Sequence, residues 1–213
     1  MTRILPVGNG DMLANFDMDY NLRDIYYPTA GGENHGSLGR FGIFVDNKFS
    51  WLSEPCWRKR LDYEPSTLVT FVEAEDPGLE IRILSQDMVD VGRPVYLKKV
   101  IFQNKANRRR VLKAFFHCNL NISGYHIGNT IYYSPALRSL IQYRGRIYFL
   151  LNGSAGSEIG LNEFATGIKG RNGAKGTWCD AEDGALSGNA TAHGDVDGVG
   201  ALTVELPPGG EAV

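Results

Sequence analysis

The sequence predicts an all-β, antiparallel protein. Three observations predict it: strand-length runs rich in β-branched and aromatic residues recur between residues 12 and 151, turn signals punctuate them, and helical periodicity of any length is absent. Hydrophobic residues make up 43% of the chain and aromatic residues 11%, which is ample material for a core.

The elements follow in order. Gly8-Asn9-Gly10 is a turn signal, because Gly and Asn reach positive φ at little cost. Residues 12–16 and 22–27 then read as two strands joined through the acidic, amide-rich connection Asp17-Met18-Asp19-Tyr20-Asn21. Pro28 ends the second strand, since proline has no N–H to give a ladder, and Gly31-Gly32-Glu33-Asn34-His35 follows as a polar loop. Residues 68–75 and 79–86 flank the turn Asp76-Pro77-Gly78. Residues 95–104 and 110–122 flank a hairpin turn whose charges, on Arg108, Arg109 and Arg110, are expected in solvent. Residues 130–134, 139–143 and 147–151 complete a meander, the last two joined through Arg144-Gly145.

Alternation assigns the faces of the strand 110–122. Leu112, Ala114, Phe116, Cys118, Leu120 and Ile122 form an apolar face, while Val111, Lys113, Phe115, His117, Asn119 and Asn121 form a mixed one. Between Gly153 and Gly200, where twelve of the 26 glycines lie, strand-like runs vanish. Residues 159–165 are expected as a short helix ended by Gly167. Residues 177–183 are expected as another, with Thr177 as N-cap, Asp180 in an approximate capping box and Gly184 as the stop. Residues 201–206 read as a strand, 207–210 as a turn and 211–213 as the first residues of a return strand that is cut off. The chain therefore reads as one domain, residues 1–213, excised from a longer protein.

Composition removes several function classes. Net charge is −2, from 22 basic and 24 acidic residues, so nothing draws the chain as a whole to nucleic acid. No apolar run approaches the roughly 18 residues of a membrane span, and the start is not a signal-peptide core, so no membrane contact and a cytoplasmic location are the defaults. Cys56, Cys118 and Cys179 are odd in number and lack CxxC spacing, which argues against a disulfide framework and a zinc site. Gly8-Asn9-Gly10-Asp11 lacks the third glycine and the helix of a dinucleotide site, so neither a cofactor nor a metal is expected.

Several motifs in order carry a family likeness: GNG at 8–10, NFDMDYNLRDIYYP at 15–28, GGENH at 31–35 and RFGIFVDNKFSWL at 40–52. It continues through Leu68-Val69-Thr70, Phe115-Phe116-His117, GNTIYY at 128–133 and KGTWCDAEDG at 175–184. Together they resemble the N-terminal β-domain of bacterial and archaeal glycoside hydrolases of the glucoamylase, glucodextranase and trehalase type (family 15-like), over most of the chain. The resemblance implies a large antiparallel super-β-sandwich, galactose mutarotase-like, that precedes an (α/α)6 barrel holding two catalytic carboxylates. A chain of 213 residues has room for the sandwich and none for the barrel. The implied partner is that C-terminal catalytic barrel, with an α-glucan or other glucoside as a further possible ligand, and no catalytic residue is expected in this chain.

Arg23, Asp24, Tyr26, Tyr27, Glu33, Asn34 and His35 are the candidate contact residues, for interdomain docking or for sugar. Carboxylates can bind sugar hydroxyls and tyrosines can stack on sugar rings, but aromatic residues and Arg are also what protein interfaces favour, and docking is the preferred reading. Asp180, Glu182 and Asp183 lie too close in sequence to face each other across a glycosidic bond. The alternative is an autonomous mutarotase-like enzyme or carbohydrate-binding module. It puts His117 on a concave polar face, doing acid/base work with a carboxylate that the sequence does not identify.

Overall fold

A computed structural model describes residues 2–170 and 173–213. In chain order the strands are β1 (Arg3–Gly8), β2 (Leu13–Asp17), β3 (Leu22–Tyr26), β4 (Phe41–Val45), β5 (Lys48–Trp51), β6 (Arg58–Tyr63) and β7 (Thr70–Asp76). They continue with β8 (Ile81–Val89), β9 (Tyr96–Asn104), β10 (Arg110–Cys118), β11 (Asn129–Ser134), β12 (Ser139–Arg144) and β13 (Ile147–Leu151). The last are β14 (Ser154–Ala155), β15 (Glu158–Ile159), β16 (Glu163–Ile168), β17 (Thr191–Gly194), β18 (Val196–Leu206) and β19 (Glu211–Ala212). Two short 3-10 segments, Ile122–Gly124 and Thr177–Asp183, are the helical elements among the described residues. The fold is all-β and antiparallel, as the sequence predicts.

Two five-stranded sheets, β19-β9-β8-β7-β6 and β16-β18-β10-β4-β5, form the sandwich. The sheets β1-β2-β3 and β13-β12-β11-β17 extend it, and β14-β15 is a separate hairpin. Alternation puts Val72 and Ala74 of β7, and Ile81 and Ile83 of β8, into the same core as Leu112 and Ala114 of β10. Phe41 of β4 joins the layers, stacking on Phe116 at 5.0 Å and meeting Phe102 of the opposite sheet at 6.3 Å.

A second apolar layer covers the outer face of β10. Trp51, Phe115, Val199 and Ala201 pack there under Ala181 and Trp178 of the Thr177–Asp183 segment. Both faces of β18 are therefore buried over most of its length. Its glycines make this possible: a Cβ on Gly198 would lie 2.6 Å from Ile131, and one on Gly200 2.7 Å from Leu161.

This layer accounts for most departures from expectation. The glycine-rich region is not devoid of strands, since β14 to β17 and the start of β18 lie within it. Residues 159–165 do not form a helix. Gly160 turns the chain with φ +103°, and β16 pairs with β18 while Phe164 stacks on Tyr133 at 3.7 Å. Thr177 is not an N-cap, because Gly176 holds that position without a side-chain cap and Asp180 accepts instead from the Ser187 N–H at 2.8 Å. Gly184 does stop the segment, in the left-handed conformation. Strand β10 ends at Cys118 instead of running to residue 122. Nor are all three arginines of the 108–110 turn solvated. Arg110 is buried and donates to the carbonyls of Leu79 and Glu80, each at 2.7 Å, while Arg108 and Arg109 pair with Asp46 and Glu205. The three cysteines are free thiols. No helix among the described residues is long and apolar enough to cross a membrane.

Candidate functional site

Several polar motif residues between 15 and 36 are hydrogen-bonded within the chain itself. Asp24, buried on β3, accepts from Arg3 Nε at 2.8 Å and Nη2 at 3.1 Å, from Asn34 Nδ2 at 2.8 Å and from Asn15 Nδ2 at 3.4 Å. Burial pushes its carboxyl up, but the Arg3 guanidinium and the two amides outweigh it and hold the pKa below the ordinary value. Asn34 Oδ1 in turn accepts from the backbone N–H groups of Ile25 and Gly36, which ties the polar loop to the edge of β3.

His35 is fully buried beneath this loop. The Ser123 N–H donates to its Nδ1 at 2.9 Å, so Nε2 carries the proton and donates to the Tyr27 carbonyl at 2.6 Å. Its ring packs on Phe149 at 5.4 Å, and Tyr27 meets the same Phe149 edge-on at 6.3 Å. The structure therefore brings Asp24 and Asn34 together, and His35 and Tyr27 together, each pair as a joint between segments. Arg23 lies 3.9 Å from buried Asp17. Glu33 is exposed and Tyr26 half-buried.

His117 does find a carboxylate. Its Nε2 is 2.9 Å from Asp197 Oδ2, and the Asp197 carboxylate also accepts from the Thr177 N–H at 2.9 and 3.0 Å. The expected concave, polar-lined position is corrected, however. The imidazole points to the outer face of β10, beside Trp51 and beneath the Thr177–Asp183 layer, and its side chain is 0% exposed. Phe115 next to it fills the face with apolar atoms and the covering layer seals it. Burial lowers the His117 pKa below the ordinary value, against the opposing pull of Asp197.

The large concave feature is elsewhere. A groove of about 950 Å³ opens between the two five-stranded sheets, walled by Phe16, Val100, Phe102, Phe116 and Leu161. At its inner end lies a buried polar network that the sequence reading did not single out. Asp87, fully buried, accepts from Thr70 Oγ1 at 2.8 Å, from Lys98 Nζ at 2.7 Å and from the hydroxyls of Tyr20 and Tyr96. Lys98 Nζ also donates to Tyr20 Oη at 2.5 Å and sits 4.1 Å from the Tyr20 ring centre. Burial, reinforced by the Asp87 charge, raises both tyrosine pKa values well above the ordinary one, so both hydroxyls stay protonated as donors. Burial lowers the Lys98 pKa, while Asp87 opposes the shift. Each group has its partners within the network, so it reads as a structural brace at the groove wall. No group of three His, Cys, Asp or Glu residues among the described residues is placed to hold a metal ion.

No family model and no curated protein sequence matches the chain. Among solved structures it is similar to a bacterial glucoamylase determined in complex with acarbose, at 15% sequence identity and a TM-score of 0.73. The likeness covers 91% of this chain and spans only 28% of the glucoamylase chain, so the fold described here is similar to one part of that larger protein.

Proposed function

We propose that this chain is the noncatalytic N-terminal accessory domain of a cytoplasmic, glucoamylase-like glycoside hydrolase, and that its partner is the (α/α)6 catalytic barrel of the same protein. The observation that carries the reading is the likeness of 91% of the chain to 28% of a bacterial glucoamylase. The site geometry supports a docking role over sugar contact. Asp24, Asn34 and His35 are already hydrogen-bonded within the chain, which leaves Glu33, Tyr26 and the exposed part of Arg23 as surface to present to a partner. An autonomous mutarotase-like activity has its histidine and carboxylate in His117 and Asp197, but among the described residues their side chains are 0% and 1% exposed, which weighs against contact with a sugar.

The test is to express the chain and the catalytic domain of the same gene as separate polypeptides. The expected result is that residues 1–213 alone release no glucose from maltodextrin and that the two polypeptides co-purify. Glucose release by residues 1–213 alone, or failure of the two polypeptides to associate, overturns the reading.

A further inference from the structure

Two unpaired strand edges face one gap. On one side β9 pairs with β8 along its whole length, from Ile81↔Asn104 to Val89↔Tyr96. On its other side only Phe102 and Gln103 have strand partners, in β19. No strand pairs there with residues 96–101 among the described residues. Across the gap stands the β14-β15 hairpin, which joins no other sheet. β19 touches both sides: Ala212 pairs with Phe102, and the Val213 carbonyl accepts from the Gly156 N–H, in the turn between β14 and β15, at 3.4 Å.

The groove lies along this gap, and its rim is apolar and open. Val95, Leu97, Tyr148, Leu150, Ile159 and Val213 all line it and all are exposed. An unpaired edge beside such a rim is the arrangement that takes up an added strand, with main-chain hydrogen bonds to the edge and alternate side chains in the groove.

We propose that the gap receives an extended strand of the longer protein, antiparallel to β9 along residues 96–101, whose inward side chains fill the groove and whose position opposite Lys99 is acidic. The proposal rests on the reading that the chain is one domain of a larger protein. The register comes from β19. Continuing Glu211↔Gln103 and Ala212↔Phe102 sets Val213 opposite Ile101 and the next three positions opposite Val100, Lys99 and Lys98. Val100 is buried and faces inward, whereas Lys99 is exposed and faces out. Lys98 points inward, but its ammonium is already held by Asp87 and Tyr20, so an incoming residue meets its aliphatic stem and not an unpaired charge. Apolar residues therefore belong opposite Val100 and Lys98, and an acidic one opposite Lys99. A second copy of the chain does not fit as occupant. Antiparallel pairing of residues 96–101 with themselves keeps each face of the sheet and so sets Lys98 or Lys99 opposite the same residue of the other copy, and like charges directly opposite destabilise a pair.

The experiment appends five residues to Val213: Val-Glu-Val-Thr-Val in one protein and Gly-Ser-Gly-Ser-Gly in the other. Amide hydrogen exchange is then followed through residues 96–101. The proposal expects the edge-facing amides to slow at least tenfold with the first tail relative to the second. It also expects Lys99→Glu, an exposed change that leaves the core untouched, to remove at least threefold of that protection. Equal exchange with the two tails overturns the proposal. So does protection that is already present with the Gly-Ser tail and grows with protein concentration, which is pairing between two copies. Protection unaffected by Lys99→Glu overturns the acidic assignment. Association with the separately expressed barrel is measured independently, so failure of the accessory reading and failure of strand uptake are distinguishable.

Discussion

Asp87 shows how much of a fold can rest on one buried carboxylate. Its oxygens compensate Lys98 and accept from Tyr20, Tyr96 and Thr70, so removing it strands an ammonium and two phenols in an apolar wall. Asp87→Ala is therefore expected to cost about 3–5 kcal/mol, the usual loss when one member of a buried pair is deleted. The double change Asp87→Leu with Lys98→Met is expected to recover most of it, because it removes both charges and keeps the volume. Urea-unfolding midpoints of the two proteins decide this. A loss below about 1 kcal/mol in the single variant means that the pair is not buried as described. Half of the network was legible in the sequence. In IRILSQDMV the parity that buries Ile81 and Ile83 also buries Ser85 and Asp87, but the strand as read from sequence stops at Gln86, one residue short. Tyr20 was not legible as its partner, because 67 positions separate them and only the fold brings the hairpin connection to β8. The polar motif residues misled in the opposite sense. Asp24 and Asn34 looked like surface contacts because polar residues clustered there, whereas they are the hydrogen-bond partners that let the loop close.

The strands of the sandwich were readable because each buries one face and alternates accordingly. The elements around β18 were not, because there burial is two-sided and glycine serves close approach instead of flexibility. This makes a prediction for Gly198. A methyl group there meets Ile131 Cδ1 at 2.6 Å and the Ala165 carbonyl at 3.2 Å, so Gly198→Ala is expected to destabilise by about 1–3 kcal/mol through overpacking, read by thermal or urea unfolding. An unchanged midpoint would mean that β11 and β16 give way freely. The Thr177–Asp183 layer carries a pH dependence. It is tied to the sheet through Thr177, Asp197 and His117, with Arg40 and Lys169 as the nearby cations. Burial lowers the His117 pKa in the folded protein, so below the ordinary value of 6.5 the unfolded chain binds the extra proton. The contribution is thus fully present above about pH 6.5 and is lost as pH falls below it. Unfolding free energy is expected to decline from pH 7.5 to 5.5 with a component of one proton that disappears in His117→Gln. The same slope in both proteins would assign the decline to other groups.

At the scale of the whole molecule, the sandwich is closed along β7, β8, β10 and β18 and open along β9. Leu97 and Leu150 stand on opposite sides of that opening, 45% and 54% exposed, so neither contributes to the core of the chain as described. Surface changes that touch no packed group usually shift stability by no more than about 0.5 kcal/mol. The double variant Leu97→Lys with Leu150→Lys should therefore unfold at nearly the same urea concentration as the parent. It should also bind less of a hydrophobic reporter dye and stay monomeric at higher protein concentration, since the rim is the apolar surface such probes and sister molecules reach first. If the open side is instead a packed face, the same two lysines are driven into apolar surroundings, the unfolding free energy falls by several kcal/mol and the midpoint falls with it. If the chain is one domain of a longer polypeptide, as proposed, the expectation changes there. On the proposed reading, a strand paired with β9 sets a residue directly opposite Leu97, which faces the same way as Lys99, so the double variant that is neutral in residues 1–213 should lose a cross-strand contact and cost up to about 1 kcal/mol in the longer polypeptide. Unfolding measured on both lengths, with the same two substitutions, separates a rim that is exposed by nature from one that is exposed for want of its neighbour.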